Sequence, residues 1–170
     1  LLASIPVCVV LSLVIERVAY RPLRNAPRLA PLITAIGVSI VIQTFAMLIW
    51  GRNYMTFPTL ISNAPIEMGG ATITVTKLLV IGLSAAVMIG LMLLVNRTRL
   101  GRAMRATAEN PRVAGLMGVN PNFVIAVTFA IGAALAALAG VMLAATYSVA
   151  HFYMGFLPGL KAFTAAVLGG

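Results

Sequence analysis

The sequence predicts an all-α fold: a polytopic bundle of transmembrane helices with a short cytoplasmic helix and a small external hairpin loop. Three observations support this class. Hydrophobic residues make up 61% of the chain and charged residues only 9%, whereas about a quarter of a soluble domain is charged. Long segments carry no charge at all. Nine of the ten arginines lie in two short polar stretches, residues 17–28 and 97–112.

The uncharged segments predict the positions of the membrane-spanning helices. Residues 31–50 and 78–96 can each cross a hydrocarbon core of roughly 30 Å at about 1.5 Å per helical residue. Residues 123–149 form the third complete span, long enough to tilt or kink. Residues 1–15 are equally apolar but short, and we expect them to be the tail of a truncated span. Residues 159–170 predict a half-helix that enters from outside, because their uninterrupted apolar run is far below spanning length.

The distribution of the arginines predicts the orientation of the spans in the membrane. Positive residues concentrate in cytoplasmic loops, and the two arginine stretches are separated by two crossings. Both therefore face the cytoplasm. The loop at residues 52–77 and the uncharged turn near residues 151–158 are predicted to be external.

The external loop carries strand and turn signals. It contains Pro58, Asn63 and the pair Gly69-Gly70, followed by an alternating β-branched run over residues 72–76. Turn residues followed by alternating β-branched residues predict a small hairpin.

The cytoplasmic segment 97–122 predicts two short helices with a break. Asn110 and Pro111 fit a cap and a first helical residue, and Gly118 fits a stop. The second helix aligns Val113 and Leu116, with Met117 beside them, as an apolar stripe. The spacing leaves two interpretations open: a helix lying on the bilayer surface, or a docking helix for another protein.

Small residues recur at four-residue intervals in two spans and predict close packing of helices. One stripe is Gly82, Ala86 and Gly90; the other is Gly132, Ala136, Gly140 and Ala144. Polar residues within the membrane are few, and the candidates for a transport pathway are Ser39, Gln43, Thr128 and Thr164. Such groups either bond to neighbouring helices or line a wet path. The residues alone do not choose between these roles.

The sequence lacks the residue groups that several classes of function require. No Asp or Glu lies inside a span, and Ser, His and acidic residues are not grouped, so proteolysis, metal catalysis and proton relays are not expected. No cofactor or metal site is predicted, and Cys8 stands alone. The net charge of +9 does not indicate nucleic-acid binding, because the basic residues lie in loops between apolar spans.

Four segments together resemble the permease subunit of bacterial branched-chain amino-acid ABC importers, the LivH type. They are ERVAYRPLR (16–24), LITAIGVS (32–39), the loop GRAMRA (101–106) to AGLMGVN (114–120), and GLKAFTAAVLGG (159–170). The resemblance covers essentially the whole chain and is specific in combination. It departs from a full family member at both ends, so we expect a single permease domain over residues 1–170 that is truncated at each end.

The resemblance implies a role for the cytoplasmic loop. In such importers a short helix between two spans sits in a cleft of the ATPase subunit, and here that helix would lie at residues 109–118. The implied coupling residues are Arg102, Arg105, Glu109, Pro111, Val113, Leu116, Met117 and Gly118. Arg102 and Arg105 would flank the contact, against acidic groups of the ATPase or anionic lipid headgroups.

The implied assembly contains two ATP-binding-cassette subunits, a second permease subunit and an external binding protein for amino acids. It would reside in the bacterial inner membrane, surrounded by lipid. Two other classes stay open: a channel or facilitator, and a structural membrane subunit without ATPase coupling.

Overall fold

The computed structural model describes residues 3–25, 30–57, 65–68 and 71–169. Seven α-helices occur in this part of the chain: α1 (Ser4–Ile15), α2 (Ala30–Trp50), α3 (Val75–Arg97), α4 (Arg99–Glu109), α5 (Pro111–Leu116), α6 (Pro121–Tyr147) and α7 (Phe156–Gly169). A π-helical turn (Glu16–Tyr20) and a 3-10 turn (Pro22–Asn25) follow α1. Four short strands complete the described elements: β1 (Met55–Thr56), β2 (Pro65–Met68), β3 (Ala71–Thr74) and β4 (Val149–Ala150).

Three of these helices, α2, α3 and α6, are long and apolar enough to cross a membrane, with 21, 23 and 27 residues. The predicted all-α class with several spans is confirmed. The helix boundaries differ from the predicted spans by at most three residues. The predicted span began at residue 78, after the charged Lys77. Helix α3 instead begins at Val75, so the exposed Lys77 lies in its first turn. A lysine there can extend toward the interface while its stem lies along apolar surface.

The predicted hairpin forms, but it ends earlier along the chain than expected. Strands β2 and β3 pair antiparallel, with Pro65 opposite Thr74 and Met68 opposite Ala71. The β-branched run was expected to stay extended through Thr76, and this was wrong, because Val75 and Thr76 already belong to α3. Pro58, Asn63 and Gly69-Gly70 lie outside the described residues.

A second, unpredicted pairing joins the end of α2 to the end of α6. Met55 lies opposite Ala150 and Thr56 opposite Val149, and the Phe57 N–H donates to the Ser148 carbonyl at 3.0 Å. The C-terminal ends of α2 and α6 therefore lie on the same side. This agrees with the predicted topology, in which α2 and α6 both run from the cytoplasm outward.

The chain divides into two compact units. The first comprises Leu1–Glu16 and Ile61–Ala139; in it, Ala114, Val124 and Ala137 are buried, and the Ser12 hydroxyl of α1 donates to the Phe129 carbonyl of α6 at 3.1 Å.

The second unit comprises Arg17–Leu60 and Gly140–Gly170, and there Ala144 is buried. Most large apolar side chains on α2 and α3 are exposed. Such surfaces suit contact with lipid or with further helices.

Candidate functional site

Thr98 stabilises the corner between α3 and α4 through two hydrogen bonds of its hydroxyl group. Its hydroxyl oxygen accepts a hydrogen bond from the Gly101 N–H at 3.0 Å and so caps α4. The same hydroxyl donates to the Leu94 carbonyl of α3 at 2.5 Å. Because a threonine cap satisfies a backbone N–H that has no partner within its own helix, one side chain both starts α4 and ties it to α3.

Gly101 lets the two helices approach closely at this corner. It is buried, and a Cβ atom at this position would stand 2.5 Å from the Val95 carbonyl carbon and 2.6 Å from the Leu94 carbonyl oxygen, with the Val95 carbonyl oxygen nearer still. These are backbone atoms of α3, which cannot rotate away as a side chain would. The close approach therefore requires glycine.

Arg105 completes the corner. Its Nη1 donates to the Val95 carbonyl at 2.9 Å and to Asn96 Oδ1 at 3.0 Å. A cation at the C-terminus of a helix also interacts favourably with the helix dipole. The structure thus gives Arg105 a contact within the chain that the sequence did not predict. Arg105 and Arg102, one turn earlier, are both exposed.

Helix α5 has the predicted cap, first residue and stop. Asn110 Oδ1 accepts hydrogen bonds from the Arg112 and Val113 N–H groups at 3.1 and 3.3 Å, and Pro111 opens the helix. Gly118 has φ +84°, a left-handed conformation that glycine adopts without strain. The predictions for Asn110, Pro111 and Gly118 are confirmed.

The two sides of α5 differ sharply. Ala114 is 3% exposed and holds the helix against its own unit, while Leu116 is 87% and Met117 80% exposed. Val113 is 52% exposed, and Glu109 at the end of α4 is exposed as well. An apolar stripe presented outward from a capped helix suits contact with a partner protein or with the bilayer surface, so its role stays a prediction.

A second Asn-Pro pair starts α6. Asn120 Oδ1 accepts from the Asn122 N–H at 3.1 Å and from the Phe123 N–H at 3.4 Å. Sequence reasoning missed Asn120, Thr98 and Gly101. The repetition of Asn-Pro at 110–111 and 120–121 was a signal that could have found the second cap.

The candidate pathway residues all have hydrogen bonds within their own helices. Gln43 Nε2 donates to Ser39 Oγ at 3.1 Å, which confirms that these two share a face of α2. The Thr128 hydroxyl donates to the Val124 carbonyl at 2.8 Å, and that of Thr164 to the Lys161 carbonyl at 2.9 Å. Local bonds of this kind satisfy a polar group in an apolar setting, so their place in a pathway stays a prediction.

Six of the seven residues in the two small-residue stripes are exposed in the described chain. Gly82, Gly90, Gly132 and Gly140 have open space where a Cβ atom would stand. Ala86 and Ala136 are exposed, whereas Ala144 is buried. If these stripes pack against helices, those helices lie outside the contacts described here, and their packing role also stays a prediction.

An aromatic cluster lies beside the unpredicted β1–β4 sheet. The Tyr54 and His151 rings stack with centroids 4.5 Å apart, and Tyr153 stacks with Phe156 at 5.0 Å. Aromatic rings concentrate at membrane–water interfaces, which suits the predicted outer end of α2 and α6. Within the described residues, no group of three or more His, Cys, Asp or Glu side chains could hold a metal ion.

Comparison with known proteins decides the family. The family model for the permease component of the branched-chain amino acid transport system matches residues 1–170. The chain belongs to this permease family. It is 48% identical to the high-affinity branched-chain amino acid transport system permease protein BraD of Pseudomonas aeruginosa, over 99% of this chain and 56% of BraD.

It is also 46% identical to the permease protein LivH of Salmonella typhimurium and of Escherichia coli K12, over 92% of this chain and 52% of each relative. The chain thus spans about half the length of the curated relatives it matches. No solved structure matches it. Family membership and the three long apolar helices together identify a membrane protein.

Proposed function

We propose that this chain is part of a permease subunit in an ATP-binding-cassette importer that brings branched-chain or related amino acids into the cell. The related permeases carry branched-chain amino acid transport in their names, which supports the substrate class. Separate ATPase subunits would supply the energy. The complex would sit in the inner membrane, with a second permease subunit and an external binding protein.

The exposed apolar stripe on α5 carries the proposal. Leu116 and Met117 are 87% and 80% exposed on a helix that is capped at Asn110 and anchored by the buried Ala114. A flexible loop could fold such side chains inward, but this capped helix holds them outward. That arrangement favours docking into a cleft of an ATPase subunit over a purely topological loop.

The corner at Thr98, Gly101 and Arg105 supports the same role. It ties α4 to the cytoplasmic end of the spanning helix α3 through two side chains and a close backbone approach. Because interfaces and packed segments move as units rather than deforming continuously, a displacement of α5 would be passed to α3.

The outer side of the permease would receive the substrate. We place the β1–β4 sheet and the Tyr54–His151 stack there, facing the external binding protein. Helix α7 has 14 residues, about 21 Å at 1.5 Å per residue, which is short of the hydrocarbon core. It would enter as a half-helix covered by the remainder of the permease, because irregular backbone at membrane depth needs protein or a cavity around it.

The test uses Leu116→Asp in the complete permease, expressed with its transporter subunits. A buried, uncompensated charge at a subunit contact costs about 3–5 kcal/mol, enough to dissociate a moderately tight complex. We expect the variant to insert in the membrane normally, to lose co-purifying ATPase and to lose uptake of labelled leucine.

The matched control is Leu116→Met, which keeps an apolar side chain of similar size and should retain both activities. If Leu116→Asp co-purifies with its ATPase and transports normally, α5 is a surface loop. A channel or structural subunit then becomes the better interpretation.

A further inference from the structure

An apolar groove lies between α4 and the first turns of α6. We call it the inner groove. It is lined by Met104, Thr107 and Ala108 of α4 and by Val124, Ile125, Thr128 and Phe129 of α6. Its volume of about 460 Å³ falls within the roughly 300–1,000 Å³ typical of small-molecule sites. Its lining is almost entirely apolar, so it suits a hydrocarbon chain.

In the predicted orientation, with both arginine stretches cytoplasmic, the inner groove lies at the depth of the inner leaflet. Its α6 side spans residues 124–129, which begin three residues after the start of α6 at Pro121. By the arginine distribution this end of α6 faces the cytoplasm. A lipid in that leaflet would present its acyl chains beside α6 and its phosphate near α4.

Positive charge is concentrated in the segment that contains α4. Residues 97–112 contain five arginines and a single acidic residue, Glu109. Arg105 also lines the inner groove; only its Nη1 donates to described residues, so its remaining guanidinium N–H groups can reach a phosphate. Arg102 lies one helical turn away and is exposed. Arginine forks match phosphate oxygens in geometry and charge.

We propose that the inner groove holds one acyl chain of an anionic phospholipid whose phosphate is bound by Arg102 and Arg105. The apolar lining would bind the acyl chain, and the two arginines would favour a lipid with an anionic headgroup. A protein helix in the same groove would explain the lining but would leave the cations at its edge without complementary charge. This lipid site goes beyond the importer function and does not depend on ATPase docking.

The experiment is native mass spectrometry of the complete purified permease. It is titrated with phosphatidylglycerol or with phosphatidylcholine of the same acyl chains. We expect one phosphatidylglycerol molecule held more tightly than the rest, and no such phosphatidylcholine. Arg102→Gln should weaken that phosphatidylglycerol about fivefold, because one basic residue near an anionic headgroup contributes about 1 kcal/mol. The matched control Arg112→Gln removes the same charge from α5 and should leave this binding unchanged.

A phosphatidylglycerol with a photoactivatable acyl chain tests the groove itself. It should label Met104 and the α6 residues of the inner groove. Ala108→Phe, which fills the groove, should abolish that labelling, whereas Ala106→Phe on an exposed, non-lining position of α4 should not.

Two results would overturn the proposal. One is that phosphatidylglycerol and phosphatidylcholine bind equally tightly and that Arg102→Gln does not weaken the binding of phosphatidylglycerol. The other is a labelling pattern that avoids the groove, including one in which another helix of the permease occupies it.

Discussion

Replacing Gly101 by alanine puts a methyl group into the backbone contact that joins α4 to α3. The new Cβ atom would stand 2.5 Å from the Val95 carbonyl carbon and nearer still to its oxygen, whereas ordinary contact begins at 3.4 Å, so the two backbones must separate by more than about 0.9 Å. Overpacking of this kind typically costs about 1–3 kcal/mol. The separation would also lengthen the 2.9 Å bond from Arg105 to the Val95 carbonyl.

The measurement is the free energy of unfolding of the complete permease in mixed detergent micelles, titrated with sodium dodecyl sulphate. Gly115→Ala is the matched control, because Gly115 lies in α5 with open space where its Cβ would stand. Alanine there should be neutral or stabilise by up to about 1 kcal/mol, since it restricts the unfolded chain. Equal stability of Gly101→Ala and Gly115→Ala would refute the close approach of α3 and α4.

Three further predictions concern the cap, a buried hydroxyl and the topology. Asn110→Ala should lower the free energy of unfolding by about 1 kcal/mol and Asn110→Asp should preserve it; equal losses would show that the cap is unimportant. Thr107 is 6% exposed and its Oγ1 has no hydrogen-bond partner among the described residues, so the isosteric Thr107→Val should be neutral or stabilising, and a clear loss of stability would reveal a missed partner. In intact spheroplasts, a cysteine at Asn53 should react with an impermeant thiol reagent and one at Arg112 should not; the reverse pattern would invert the predicted orientation.

The sequence predicted the spans and the cytoplasmic helix pair well, because these depend on local signals. An uncharged run of about 20 residues is sufficient to predict a spanning helix, and the Asn110-Pro111 pair marks a helix start by its own chemistry. The β1–β4 pairing could not be predicted in this way. Its strands have two residues each and lie more than 90 positions apart, so neither carries a periodic pattern.

The candidate site was predicted only in part, for the same reason. Val113, Leu116 and Met117 were found from helical spacing, and their exposure agrees with a contact surface. The role of Gly101 depends on where the carbonyl groups of α3 lie in space, which no spacing rule provides. Arg105 was assigned to a partner by resemblance, yet its Nη1 bonds to α3, because helix α4 folds back beside the end of α3 and brings the guanidinium to it.

This contact changes what Arg105 would do in the proposed importer. A cation that only met an acidic patch on the ATPase would hold the subunits together and do little else. Bonded to the Val95 carbonyl and to Asn96, it instead links α4 to the last turn of α3, alongside the Thr98 bond to Leu94. Force applied at Leu116 would pass along α5 and α4 and reach the spanning helix at two points one turn or less apart. Because these two contacts together resist twisting as well as sliding of α4 against α3, a movement of α4 would rotate as well as displace α3. We therefore expect α3 to be the first spanning helix to move when the ATPase subunits close.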